Sequence, residues 1–341
     1  MNNLKDKKNL TILAIESSCD ETACAILRDG VILGECISTQ IEIHRLYGGV
    51  VPEIASRNHV LSIDAVVKDA LAKSGLTLSE IDCIAVTKGA GLLGSLLVGV
   101  SYAKGLAFAT GKPLIGINHI RGHVAANYLE HPDLTPPYVG LIVSGGHSAV
   151  ALVKSKTDLE IKGTTADDAA GEAFDKVARV LGLPYPGGPE IEKLAKLGNP
   201  TIPMPHVRMK NPLDFSYSGL KTAVINFVHN QEQKGLEINK ADVACSFQKS
   251  AVEMLSSHAI ALAMQENIKT IAVAGGVAAN GALRETLTEE AKKHNISVYF
   301  PSKKLCTDNA SMIASEAYVQ IRSGADFDEL TLDAKATLPL E

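Results

Sequence analysis

The feature that most narrows the possible folds is a device used twice. An apolar strand-like run, a short polar turn and a second apolar run occur first as LAIESSCDETACAIL, starting at Leu13. They occur again, about 130 residues further on, as YVGLIVSGGHSAVALV, starting at Tyr138. In the first copy Asp29-Gly30 leads into a third strand, VILGECIST, and that dipeptide is a strong hairpin signal. Helical patterns follow over about 53–73, 95–110 and 119–129, with DCIAVTKG and PLIGIN as strands between them. After the second hairpin come helical patterns over 241–265 and 279–292, the strand TIAVAGG, and a last helix from Asn309. The alternation predicts an α/β protein with two lobes and a duplicated βββαβα core. The expected division is a first lobe at 1–131 and a second at 132–319. A Pro-, Asn- and Lys-rich excursion over the surface is expected at about 198–240, and a terminal helix at 320–341 packs back on the first lobe.

Composition agrees with this plan. A chain of 341 residues with 46% hydrophobic content can bury two cores of ordinary size. No run reaches the ~20 apolar residues of a membrane span, so no membrane partner is expected. The opening MNNLKDKKNL has no apolar segment of the secretory kind. The six scattered cysteines include no C-x-x-C pair and read as reduced thiols, which implies a cytoplasmic protein. A net charge of -5 gives no overall attraction to nucleic acid.

Five constellations carry possible chemistry. His119 and His123 lie four apart, on one face of a helix, where both imidazoles can share a metal or simply sit at the surface. Ile120 stands where H-E-x-x-H would require the water-activating Glu, which weakens a protease reading. Ser144-Gly145-Gly146-His147 is either a plain hairpin turn or a nest of backbone N–H groups for anionic oxygens. In VAGGVAANGALRE a buried strand meets glycines and then a helix, a place where α/β sheets bind nucleotides, although Asn280 equally suits an N-cap. Asp167, Asp168 and Glu172 are expected in the first turns of a helix, with Asp175 one turn on and the YPGGP turn beyond. There a solvated helix start competes with a hydroxyl-binding Asp175. Finally, Thr307 or Asp308 suits an N-cap by default, while Asp308 can also reach out as a ligand.

The order of the motifs says more than any one of them. ESSCDET, GGVVPEIASRNH, NHIRGH, VSGGH, DDAAGEAFDKVAR, YPGGP, DFSYSGLKTA, GGVAANGALR and CTDNASMIA together resemble the tRNA adenosine threonylcarbamoyltransferase family, over roughly residues 10 to 320. Its bacterial members are called TsaD, and they were formerly described as O-sialoglycoprotein endopeptidases. The resemblance implies a two-lobed actin/Hsp70/sugar-kinase-like fold with a nucleotide cleft between the lobes. It implies transfer of a threonylcarbamoyl group from threonylcarbamoyl-adenylate to N6 of the adenosine 3′-adjacent to the anticodon, in tRNAs reading ANN codons. It makes His119, His123 and Asp308 ligands of one metal ion, Fe2+ or Zn2+. It places the adenylate, or ATP, ADP or AMP, on Ile142, Val143, Ser144, Gly145, Gly146, Asp175, Gly188, Glu192 and Asn280. Asp20 and Glu21 are implied as the catalytic acids. The partners implied are tRNA, a TsaB-like paralogue as heterodimer and a TsaE-like ATPase. Two alternatives compete: a metalloprotease, and a non-catalytic ATP-binding scaffold.

Overall fold

In a computed structural model, residues 4–205, 207 and 209–340 are described. The chain forms two compact units, Met1–Leu134 plus Thr307–Glu341, and Thr135–Cys306.

The first unit opens with β1 (Thr11–Glu16), β2 (Glu21–Arg28) and β3 (Val31–Thr39), followed by α1 (Ile41–Arg45) and α2 (Pro52–Ser74). It continues with β4 (Cys83–Gly89), α3 (Leu93–Thr110), β5 (Leu114–Asn118), α4 (His119–Ala125) and α5 (Asn127–Glu130). Its sheet runs β3-β2-β1-β4-β5, with β1 antiparallel to β2 and parallel to β4. Every residue of β1 is buried, as expected of a central strand covered on both faces. Leu13, Ile15, Ile63, Val67, Val86 and Leu96 are among the residues of its core. At 18 residues and mean hydropathy 1.3, α3 is long and apolar enough to cross a membrane by composition alone. Its Leu96, Val100 and Ala103 nevertheless pack into this core, as in a soluble core helix.

The second unit holds β6 (Tyr138–Val143), β7 (Ser148–Val153), β8 (Leu159–Thr164), α6 (Ala170–Val180), α7 (Gly187–Ala195) and α8 (Ser218–Gln233). Then come α9 (Lys240–Gln265), β9 (Thr270–Ala274), α10 (Gly281–Lys293), β10 (Ser297–Tyr299) and α11 (Lys303–Cys306). Its sheet order, β8-β7-β6-β9-β10, repeats the first sheet strand for strand, with the same parallel and antiparallel pairings. The duplicated device in the sequence is therefore a duplicated topology.

Four expectations change. The excursion at 198–240 contains α8, whose Leu220, Val224 and Val228 are buried in the second core. It is amphipathic structure, and not only surface loop. Asp167 and Asp168 precede α6 instead of lying in its first turns. Asp167 accepts hydrogen bonds from the N–H groups of Tyr217 and Ser218 at the start of α8, and Asp168 pairs with Lys176 and Lys221. The last helix, α12, is Ala310–Ser323, and it belongs to the first unit instead of the expected 132–319 lobe. Gly324, in the left-handed region at φ 88°, ends it, so no helix covers the described part of 320–341 beyond Ser323. The tail instead runs along the first unit. Asp328 accepts from the Gly116 N–H at 2.7 Å, Lys335 N–H donates to the Lys88 carbonyl, and the Asn118 amide donates to the Pro339 carbonyl.

Phe174 and Phe247 meet edge-to-face in the second core, their centroids 5.0 Å apart and both rings buried. Phe247→Ala is expected to destabilise the protein by about 3–5 kcal/mol, measured as a shift in urea-induced unfolding.

Candidate metal and nucleotide sites

The histidine pair is set by the junction of β5 and α4. Asn118 ends the strand and caps the helix, its Oδ1 accepting from the N–H groups of Ile120 and Arg121 at 2.9 and 3.3 Å. Both imidazoles then fall on one face. Their rings stand at 82° with centroids 4.7 Å apart, and both side chains are buried. The third group arrives from far along the chain. Asn309, not Thr307 or Asp308, caps α12, its Oδ1 accepting from Met312 N–H at 2.9 Å. That leaves the Asp308 carboxylate directed at the histidines. Asp308 Oδ1 lies 3.2 Å from His123 Nε2 and 3.5 Å from His119 Nε2. Gly122 faces α12: a Cβ there would sit 2.9 Å from Ile313 Cδ1, so a larger residue would have to push the end of that side chain aside. Arg121 Nε donates to the buried Glu316 at 3.0 Å, and Ser315 Oγ donates to the Ala125 carbonyl at 2.8 Å. The two helices are thereby fastened on either side of the cluster.

These three residues fit a metal ion. One donor atom from each lies within 4.8 Å of the others. Two ligands sharing a tetrahedral ion at ~2.1 Å stand about 3.4 Å apart, close to the 3.2 and 3.5 Å seen here. Among the described residues buried His123 Nδ1 has no hydrogen-bond partner, and Nε2 has the Asp308 carboxylate 3.2 Å away. A buried polar atom left in that state is costly unless something binds it. Two imidazoles and one carboxylate suit zinc or ferrous iron.

Sequence reasoning missed Glu16, the last residue of β1. It is fully buried, and its Oε2 is 3.2 Å from His119 Nδ1. Oε1 accepts from Ser18 N–H and Oε2 from Thr87 Oγ1, both at 2.5 Å. Its sequence signal was an acid closing a run of buried strand residues, a position that burial makes expensive without a partner. Burial alone lowers the pKa of His119, but Asp308 and Glu16 outweigh it and push it up to about 9. Burial works against the Glu16 charge, while His119 holds its pKa below the ordinary value. Burial dominates at His123 and lowers its pKa.

Asp20 closes the β1–β2 turn of the same unit, and Glu21 is the first residue of β2. Burial, reinforced by Asp20 and Asp308, pushes the Glu21 carboxyl up to about 10. Thr39 Oγ1 donates to it at 3.2 Å. Asp20 is buried, and its Oδ2 has no hydrogen-bond partner among the described residues.

The nucleotide candidates all belong to the second unit. Ile142 and Val143 are buried strand residues of β6, Ile142 pairing with Ala149 and Ala274. Ser144 N–H donates to the His147 carbonyl at 2.8 Å, and the Ser144 carbonyl accepts from Gly171 N–H at 3.1 Å. This joins the SGG turn to the start of α6. Gly275, at φ 94°, lies against the same turn, where a Cβ would be 2.4 Å from the Val143 carbonyl oxygen. Asp175 Oδ1 accepts from Gly187 N–H at 2.7 Å, which ties α6 to the YPGGP turn. Asn280 caps α10 by accepting from Leu283 N–H at 3.0 Å, and its amide donates to Gln248, a second residue unnoticed in the sequence. Glu192 sits beside Gly281, where a Cβ would be 2.9 Å from its Oε1. Above Gly145, Gly146, Gly188 and Gly276 the space is open: a Cβ on any of them meets nothing within 4 Å. The SGG turn, YPGGP and the start of α10 thus converge on glycine-lined backbone at the ends of β6 and β9.

Comparison with known proteins decides the family. A family model described as "TsaD: tRNA N6-adenosine threonylcarbamoyltransferase" matches residues 31–315. The chain belongs to the tRNA N6-adenosine threonylcarbamoyltransferase family. Among its relatives, proteins of that name from Clostridium beijerinckii and Clostridium perfringens are 53% and 55% identical, each over 98% of this chain and 99% of theirs. Solved structures show the fold. A full-length HypF in phosphate- and nucleotide-bound form superposes with TM-score 0.63 at 15% identity, covering 93% of this chain and 47% of that one. The activator of the 2-hydroxyisocaproyl-CoA dehydratase from Clostridium difficile, with bound ADPNP, gives 0.51 at 13% identity over 92% and 96%. The family member is therefore an α/β protein of the two-lobed actin/Hsp70/sugar-kinase type.

Because His119 holds a proton up to about pH 9 when no ion is bound, an ion must displace it. Apparent affinity for zinc is expected to rise about tenfold per pH unit from 6.5 to about 9 and to level off above that. Titrations of the metal-free protein at stepped pH, with proton release followed in weak buffer, check this.

Proposed function

We propose that this family member transfers a threonylcarbamoyl group from threonylcarbamoyl-adenylate to N6 of the adenosine 3′-adjacent to the anticodon in tRNAs reading ANN codons, releasing AMP. The observation that carries the reading is the convergence of His119, His123 and Asp308, from chain positions far apart, in a family whose relatives bear that enzyme's name. The glycine-lined turns of the second unit offer backbone N–H groups for the adenylate phosphate. Asp175 and Asn280 hold the neighbouring turns in register.

An adenosine amine is a weak nucleophile because its lone pair is delocalised into the ring. In the transfer, the amine nitrogen forms a bond to the carbamoyl carbon, the bond from that carbon to the phosphate oxygen breaks, and AMP leaves. When bound, an Fe2+ or Zn2+ ion would supply the positive charge that polarises the carbonyl or steadies the leaving phosphate. Held by His119, His123 and Asp308, such a site retains open positions, as catalytic metal sites do. The amine must also lose a proton. Of the two acids at the start of β2, Asp20, whose Oδ2 has no hydrogen-bond partner among the described residues, is the better acceptor, since Glu21 is pushed towards its protonated form.

A protein with net charge -5 holds a polyanion poorly by itself. A TsaB-like paralogue and a TsaE-like ATPase would share the tRNA contact, and all would work in the cytoplasm. A metalloprotease is disfavoured because Ile120, buried between the histidines, supplies no base.

The test is in vitro modification with the partners, threonylcarbamoyl-adenylate and unmodified tRNA, with nucleosides read by mass spectrometry. His119→Ala combined with His123→Ala is expected to abolish metal binding and reduce transfer at least ~100-fold, while circular dichroism stays native. Full transfer by this variant refutes the site. Asp20→Asn is expected to slow single-turnover transfer by about 10²–10⁴-fold, and Glu21→Gln by less. Near-normal rates in both variants would remove the general-base role.

A further inference from the structure

Resting on the metal reading above, we infer that Glu16 is the positioning residue of the metal centre: its carboxylate fixes the tautomer and ring orientation of His119. An ionised carboxylate only accepts hydrogen bonds. Glu16 Oε1 takes the Ser18 N–H, and Oε2 takes the Thr87 hydroxyl. His119 Nδ1, 3.2 Å from Oε2, is therefore the donor in that contact, with Ser18 Oγ a further 3.0 Å neighbour. With Nδ1 holding its hydrogen on Glu16, the proton that an ion would displace, and the lone pair it would take, are on Nε2, the nitrogen that faces Asp308. The imidazole is thus presented to an ion through one defined atom. Carboxylate–histidine–metal arrangements use the second ring nitrogen in this way, and the partner raises the basicity of the ligand.

The two histidines are unequal in this respect. His123 Nδ1 is buried and has no hydrogen-bond partner among the described residues, so no carboxylate holds that ring from the side away from Asp308. His119 is the anchored ligand. Glu16 is itself immobilised at the end of a fully buried strand, with bonds to β4 through Thr87 and to the following turn through Ser18. Rotation of its carboxylate would break both.

The experiment titrates metal-free wild-type and Glu16→Gln protein with Zn2+ against a chromophoric chelator, and records imidazole ¹⁵N spectra of the zinc-loaded wild type. Glu16→Gln is expected to weaken zinc binding about 10–100-fold with the thermal transition of the metal-free protein little changed. In the loaded wild type, His119 should carry its proton on Nδ1. Zinc affinity of Glu16→Gln within twofold of wild type overturns the inference and leaves the metal reading standing. So does a wild-type spectrum with the His119 proton on Nε2, a measurement that holds even if the variant does not fold. A wild-type protein that binds neither zinc nor ferrous iron refutes the metal reading, and this inference with it.

Discussion

The closeness of α12 to α4 is the constraint on which the rest of the first unit depends. Two buried histidines at helical spacing are only a possibility until a carboxylate meets them, and Asp308 lies almost two hundred residues downstream in the chain. Gly122 faces Ile313 of α12 without a side chain between them, and Asn309 takes over the capping of α12 so that its neighbour is released for the cluster. The Arg121–Glu316 pair is mostly shielded from water, where breaking it would strand a buried charge. Packing, capping and a buried ion pair thus act on one geometry, and the chemistry inherits its precision from them.

The two units share a topology and put it to different uses. In each, the antiparallel hairpin turn follows the central strand. In the first unit that turn ends in Asp20, Glu21 opens the next strand, and the central strand ends in Glu16. In the second the turn carries Ser144, Gly145 and Gly146, and the strand ends in Val143. One copy of the architecture concentrates ionisable groups in the unit that holds the His119, His123 and Asp308 cluster. The other leaves open space above the glycines of its turn. Fold alone predicts neither outcome, because the difference lies in a few turn residues.

Much of this was readable from the residues. The strand runs were long and apolar, and the four-residue spacing of His119 and His123 puts them on one face of any helix, so both could be placed without knowing tertiary contacts. The membership of Asp308 came from resemblance, since nothing local joins it to the histidines. Elements decided by distant contacts were misplaced. α8 lies in a Pro-rich, polar stretch whose apolar side is visible only against the second core. α12 was divided wrongly because a domain boundary leaves no mark when the chain crosses it within a tight turn. Glu16 was overlooked for a related reason. Its partner lies 103 residues away, and an isolated acid at a strand end looks like the ordinary close of a strand.

The path of the chain through the first unit has a consequence for how the protein comes into being on the ribosome. Thr135–Cys306 is inserted between the segment bearing both histidines and the segment bearing Asp308. A nascent chain therefore exposes a sheet that lacks its α12 cover, and an incomplete set of donor atoms, throughout the time the second unit is being made. The three donor groups of that cluster are brought together only after that delay.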